Sequence, residues 1–255
     1  MAAELLEPRF APIYDEIYAT DLVFEPGCWR RCGDAHCCHF SRYKSEQEPG
    51  FHEIPLLPGE WEYLHTRGHI QQYPDYRRLA LEVPLSTGVL TYQSLRIPTL
   101  QCPCAHDLRP TICRLYPLLP VYSATAGLIG IDTRLTLFDV IEEVLELPRG
   151  CRIEAIPLGE LQKFMGLTRA LGSEPVLVFH LMAYKLVKDI LCRALQQIVA
   201  AAGRPTGSRA QIAERITTYQ RDLVVKVVNW GTVKAELNEL GRQFRSIHGP
   251  SFSVS

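Results

Sequence analysis

Eight of this chain's nine cysteines fall before residue 152, and most of them sit in two short, proline- and glycine-punctuated stretches. The first reads Cys28-Trp-Arg-Arg-Cys32-Gly-Asp-Ala-His36-Cys37-Cys38-His39, four thiols and two imidazoles within twelve residues. The second reads Cys102-Pro-Cys104-Ala-His106-Asp-Leu-Arg109-Pro110-Thr-Ile-Cys113-Arg114-Leu-Tyr116-Pro117, and Cys151 follows in Arg-Gly-Cys-Arg. Thiols crowded into polar loops are poor candidates for core packing, and prolines at this density forbid long helices through the loops. The N-terminal half is therefore expected to be irregular, and its thiols to have a chemical use.

That use depends on the compartment. The first residues, Met-Ala-Ala-Glu-Leu-Leu-Glu-Pro-Arg, are acidic where a secretory signal is basic, and no apolar core follows before Asp15 and Glu16. The expected compartment is the cytoplasm, where thiols stay reduced and clustered cysteines read as metal or redox sites rather than disulfides. The 27 basic and 28 acidic side chains nearly cancel, which argues against nucleic acid or an anionic membrane as partner. The most apolar later stretch, Pro175 to Leu191, is interrupted by His180, Lys185, Lys188 and Asp189 and reads as a core helix.

Thiolates three to five residues apart on a turning loop can converge on one ion or small cluster, and Gly33 supplies a tight turn for this. Adjacent Cys37 and Cys38 cannot point the same way from an extended segment, so they serve different metals, or one ligates while the other packs. Prolines beside Cys102, Cys104 and Cys113 leave little backbone entropy to lose on metal binding. Arg109 and Arg114 can offset thiolate charge and donate hydrogen bonds to sulfur, which makes them the expected cofactor-binding residues. His36, His39 and His106 flank the thiols; solvated or outer roles are the commoner reading for such histidines. Cys192, inside an apolar helix, is expected simply to pack.

On these residues the chain resembles a bacterial family of zinc- or iron-chelating proteins whose motif is a spaced set of cysteines ending in a Cys-Cys pair, a motif shared by flagellin lysine methylases. The resemblance runs from residue 28 to 151: the Cys28 to Cys38 cluster, the Ile54-Pro-Leu-Leu-Pro-Gly-Glu60 lead-in to a short helix, the Arg109-Pro-x-x-Cys113-Arg114-x-Tyr116-Pro117 core, and Cys151. It implies metal or cluster ligands at Cys28, Cys32, Cys37, Cys38, Cys104 and Cys113, joined by Cys102 and Cys151. The chain departs from the family pattern in the longer Cys32 to Cys37 spacing and the compact Cys102-Pro-Cys104.

Eight candidate thiols exceed one tetrahedral zinc, and the methylase relatives are linked with a cluster. The expectation is an iron–sulfur cluster of the [4Fe-4S] type with a redox or substrate-activating role towards an unidentified small molecule or protein. Two alternatives stand beside it: a non-catalytic zinc or chelating module that docks a protein partner, and a lysine N-methylase-like enzyme. No glycine-rich phosphate loop, Gly-x-Ser-x-Gly elbow or His-Glu-x-x-His supports nucleotide or hydrolase chemistry. Glu62-Tyr-Leu-His65 with His69 resembles half of a di-iron site, but no second Glu-x-x-His exists and Gly68 weakens the helix between the histidines.

The expected fold is α+β, with a loop-rich cysteine-cluster domain over residues 1–156 and a helical domain over 157–255. Strands are expected at Val89 to Ile97 and Gly127 to Phe138, where β-branched and aromatic residues are frequent, and a short helix at Pro58 to Arg67. Leu158 to Leu171 is amphipathic, and Ser173-Glu174-Pro175 offers a cap and first-turn proline for a helix to about Ala202. Ser208 can cap a helix carrying Ile212, Ile216, Tyr219, Leu223 and Val227 on one face. Gly231-Thr232 restarts a helix with the stripe Val233, Leu237, Leu240 and Phe244, and a frayed tail is expected from His248. Tyr14, Tyr18, Trp29, Tyr116 and Tyr122 are expected in the core.

Overall fold

The computed structural model describes residues 6–24, 51–98, 106–146, 156–203, 211 and 229–254. Its elements, numbered here in chain order among those residues, are α1 (Ala11–Ala19), β1 (His52–Leu56), α2 (Glu60–Thr66), β2 (Arg77–Leu85), β3 (Gly88–Ile97), α3 (Thr111–Leu115), β4 (Leu119–Tyr122), β5 (Leu128–Asp132), α4 (Leu137–Val144), α5 (Leu158–Gly172), α6 (Pro175–Ala202) and α7 (Trp230–His248). The class is α+β, with antiparallel strands and a helical C-terminal part, as the sequence pattern indicates.

One antiparallel sheet has the order β1-β3-β2, and β4 and β5 form a separate hairpin. The first sheet packs Ile54, Leu56, Leu95 and Ile97 against Leu64, Ile70 and Tyr73 in a small core of its own. The larger core draws on both sides of residue 157: Tyr14 and Ile17 of α1, Leu115 of α3, Val140 of α4, Phe164 of α5, Phe179 of α6 and Phe244 of α7. Tyr14 and Tyr122 are core residues, and Tyr18 and Tyr116 pack against the core as half-buried neighbours; Trp29 lies outside the described residues.

The C-terminal helices follow their capping signals. The Glu174 carboxylate accepts from the Val176 amide, Pro175 opens α6, and Gly203 ends it in the left-handed region at φ 76°, which glycine adopts without strain. α7 begins one residue before Gly231 because the Asn229 side chain accepts from the amides of Gly231 and Thr232. Val233, Leu237, Leu240 and Phe244 are buried along α7. The Ser208 helix lies outside the described residues.

Two expectations are corrected. The strand proposed over 127–138 stops at Asp132, because Thr136 and Asp139 form a reciprocal capping box that starts α4 at Leu137. The tail is not frayed through Val254: Phe252 packs on Phe179 and Phe244, and the Val254 carbonyl lies 3.2 Å from Nε2 of buried His180.

The β2–β3 hairpin also docks on α7. The Ser86 amide donates to Asn238 Oδ1 at 2.7 Å, and buried Thr87 sits so close to Gly241 that any Cβ there would overlap the threonine side chain. Among the described residues no helix is long and apolar enough to cross a membrane.

Candidate functional site

Cys28, Cys32, Cys37, Cys38, Cys102, Cys104 and Cys151, with His36 and His39, lie outside the described residues. Of the expected ligands Cys113 is described. It sits in the middle of α3, half-buried, and packs against the small core under the first sheet. His106 opens the 3-10 turn His106–Leu108 that leads towards α3. Among the described residues no three His, Cys, Asp or Glu side chains gather as a metal site. Cys192 is buried in α6, as expected, with its sulfur 3.8 Å from the Arg134 guanidinium.

The two arginines of the second cysteine stretch act on backbone. Arg114 is 1% exposed, and its guanidinium donates to three carbonyls: Arg109 at 2.8 Å, Thr20 at 2.9 Å and Asp107. Its cation also lies 4.6 Å from the centre of the Tyr18 ring. Arg109 donates to the Leu22 carbonyl at 3.0 Å. A planar guanidinium with five fixed donors can bind three carbonyls from two chain segments in one rigid geometry, which a compact ammonium does not reproduce. The result is a seam between residues 20–22, just before the first cysteine stretch, and residues 107–109, just after Cys102 and Cys104.

A third segment joins this seam. Glu160 near the start of α5 accepts from the Val23 amide at 2.7 Å, and Lys163 donates to the Asp21 carbonyl at 2.8 Å. The chain that leaves Cys151 therefore enters its helix against residues 21–23. At the opposite end, His52 pairs with Ile97 across β1 and β3. The chain returning from the first cysteine stretch thus re-enters the fold beside the strand that leads out to the second.

Beneath the seam lies Glu60, fully buried at the first position of α2. One carboxylate oxygen accepts from the Thr111 amide and hydroxyl, both at 2.6 Å, and from the Tyr18 hydroxyl at 2.9 Å; the other accepts from the Leu57 amide at 3.0 Å. Burial pushes the Glu60 carboxyl above its ordinary pKa, although the hydrogen bonds from Thr111, Leu57 and Tyr18 pull it down. Burial, then the Glu60 charge, holds the Tyr18 phenol well above its usual value. Glu60 was missed as a buried polar hub, though Pro58-Gly59-Glu60 was legible as a helix start. Gly59 takes φ 76°, and a Cβ there would stand 2.5 Å from Cδ2 of buried Phe10.

The Glu62, His65 and His69 set divides among separate partners. α2 ends at Thr66, and Gly68, at φ 73°, turns the chain before His69. Glu62 pairs with Arg78, the His65 ring packs on Trp61, and the His69 ring lies against Tyr18 and Tyr63.

No family model, curated protein or solved structure matches this chain.

Proposed function

We propose that this chain is a cytoplasmic, cysteine-ligated metal protein carrying an iron–sulfur cluster of the [4Fe-4S] type, with a redox or substrate-activating role. The observation that supports the reading is the convergence of roots: residues 20–23, 107–109 and 160–163 are bound together through Arg109, Arg114, Glu160 and Lys163. Three stretches distant in sequence, each bearing thiols, start or finish at one place. Loop-closure entropy is the main obstacle to assembling a site from such distant ligands, and a frame that pins the roots removes much of it in advance.

Cys28, Cys32, Cys37, Cys38, Cys102, Cys104, Cys113 and Cys151 would hold the cluster, and the resemblance to the cysteine-cluster family rests on the same residues. A bound cluster supplies one-electron transfer or, at an open iron position, Lewis acidity. The chain's own contribution is positional. Arg109 and Arg114 fix residues 107–109, which lead into the helix carrying Cys113, and Glu60 anchors the start of α3 through Thr111.

Anaerobic purification of the whole chain, with absorption spectroscopy and assay of iron, acid-labile sulfide and zinc, tests this. A brown protein with iron and sulfide in near-equal amounts is expected. A colourless protein with stoichiometric zinc would replace it with the structural or chelating module, and a metal-free protein after anaerobic reconstitution would end both readings.

A further inference from the structure

A groove of about 350 Å³ is lined by α6, α7 and residues 120–122 of β4. Its floor is apolar, formed by Tyr122, Met182, Leu186 and Leu240. Beside the groove β5 leaves two further apolar side chains exposed: Ile131, the register partner of Pro120 on the groove wall, at 41%, and Ile129 at 68%. An apolar groove with further apolar side chains exposed beside it is a candidate binding surface.

The walls say what kind of ligand fits. Four charged side chains line the groove: Lys185, Asp189, Glu236 and Glu239. Lys185 is already engaged, 2.5 Å from Asp189 and 3.8 Å from Asp132, so its charge is satisfied within the fold. Glu239 faces Arg242 at 2.5 Å along the exposed side of α7. Among the described residues Glu236, half-buried one turn earlier on the same helix, has no hydrogen-bond or ion-pair partner. An apolar trough with an uncompensated carboxylate on its wall is complementary to an organic cation with an apolar body.

We propose that the α6–α7 groove is a binding site for small amphiphilic amines, whose hydrocarbon part lies on Met182, Leu186 and Leu240 and whose ammonium group is held by Glu236. The site is separate from the cysteine-bearing stretches and stands whether or not the chain carries a cluster. A volume of about 350 Å³ is at the lower end for small-molecule pockets, which fits a single short-chain amine better than a folded peptide element.

The chain has three methionines, and Met182 lines the groove while Met165 is exposed on α5. The whole protein, labelled at methionine methyl groups and assigned with Met182→Leu and Met165→Leu, is titrated with octylammonium chloride and, separately, with neutral octanol. Saturable movement of the Met182 signal alone is expected, with octylammonium binding about tenfold tighter than octanol. Glu236→Gln should abolish that preference while leaving the octanol response and the thermal midpoint unchanged. Three results would overturn the proposal: no movement of Met182, equal affinity for amine and alcohol, or a Glu236→Gln protein that still prefers the amine. A Met182 signal that shifts with protein concentration in the absence of amine would assign the groove to a second copy of the chain and also overturn it.

Discussion

Replacing Arg114 with methionine removes the centre of the seam while keeping a flexible side chain of similar length. The half-buried carbonyls of Thr20 and Arg109 and the carbonyl of exposed Asp107 each lose a donor. Each of these partly buried hydrogen bonds is worth about 1 kcal/mol net, so three come to about 3 kcal/mol. Loss of the cation against the Tyr18 ring adds about 1 kcal/mol. Relief from burying a charge works the other way, since burial also lowers the guanidinium's pKa. A net loss of about 3 kcal/mol is expected, which lowers the thermal midpoint of a chain this size by about 6–12 °C. Urea titration followed by circular dichroism measures it, and Arg114→Lys, a point charge that cannot span three carbonyls, should recover less than half of the loss. If Arg114→Met lies within about 0.5 kcal/mol of the native protein, as an ordinary surface substitution would, the seam is not what holds these segments together.

Three further outcomes follow from single residues. Gly59→Ala should cost roughly 3 kcal/mol by urea titration, combining a left-handed backbone with displacement of Phe10; a loss below about 1 kcal/mol would mean that the turn relaxes easily. In Gly241→Ala the roughly 1 kcal/mol gain in helix propensity opposes overlap with buried Thr87, and the overlap should win, so that the variant melts below the native protein rather than above it. Burial holds the His180 imidazole down to about 4 from an ordinary 6.5, with the Val254 carbonyl pulling the other way. The folded state therefore resists protonation: this stability is whole above pH 6.5 and is lost as pH falls towards 4, by about 3 kcal/mol. Comparison with His180→Gln from pH 7 to pH 4.5 should show a shallower loss in the variant, and identical slopes would refute it.

The helical half was legible because its signals are local. Proline at the first turn, a capping side chain and a three-to-four residue apolar stripe marked α5, α6 and α7 to within a residue or two. The strand Val89 to Ile97 was legible from its β-branched and aromatic content, whereas its partners were not: β1 and β2 contain Pro55 and Pro84, a residue type that argues against a central strand, and both are edge strands of the sheet, where proline is tolerated. The capping box at Thr136 was present in the sequence but was outweighed by the apolar run before it. Burial of Phe252 and Val254 depends on a niche made by α6 and α7, which no local pattern announces.

At the candidate site the residue types were legible and their partners were not. Arg109 and Arg114 were singled out for the charge they could offer to sulfur, yet the bonds described for them run to the backbone of residues 20–22, 107 and 109. Which carbonyls an arginine reaches depends on the packing of segments some ninety residues apart, and composition carries no trace of it. Glu60 was hidden for the same reason, because its partners Tyr18 and Thr111 lie 42 and 51 residues away.

Central to the proposed function is that thiols from separate stretches share one metal centre. Iron and acid-labile sulfide in anaerobically reconstituted Cys32→Ser and Cys104→Ser proteins, each compared with the native chain, test this most directly. Each single substitution should remove most of the iron and sulfide together and bleach the chromophore. Two variants that each keep a full native complement, or that each lose a separate half of it, would show that the stretches do not share a centre.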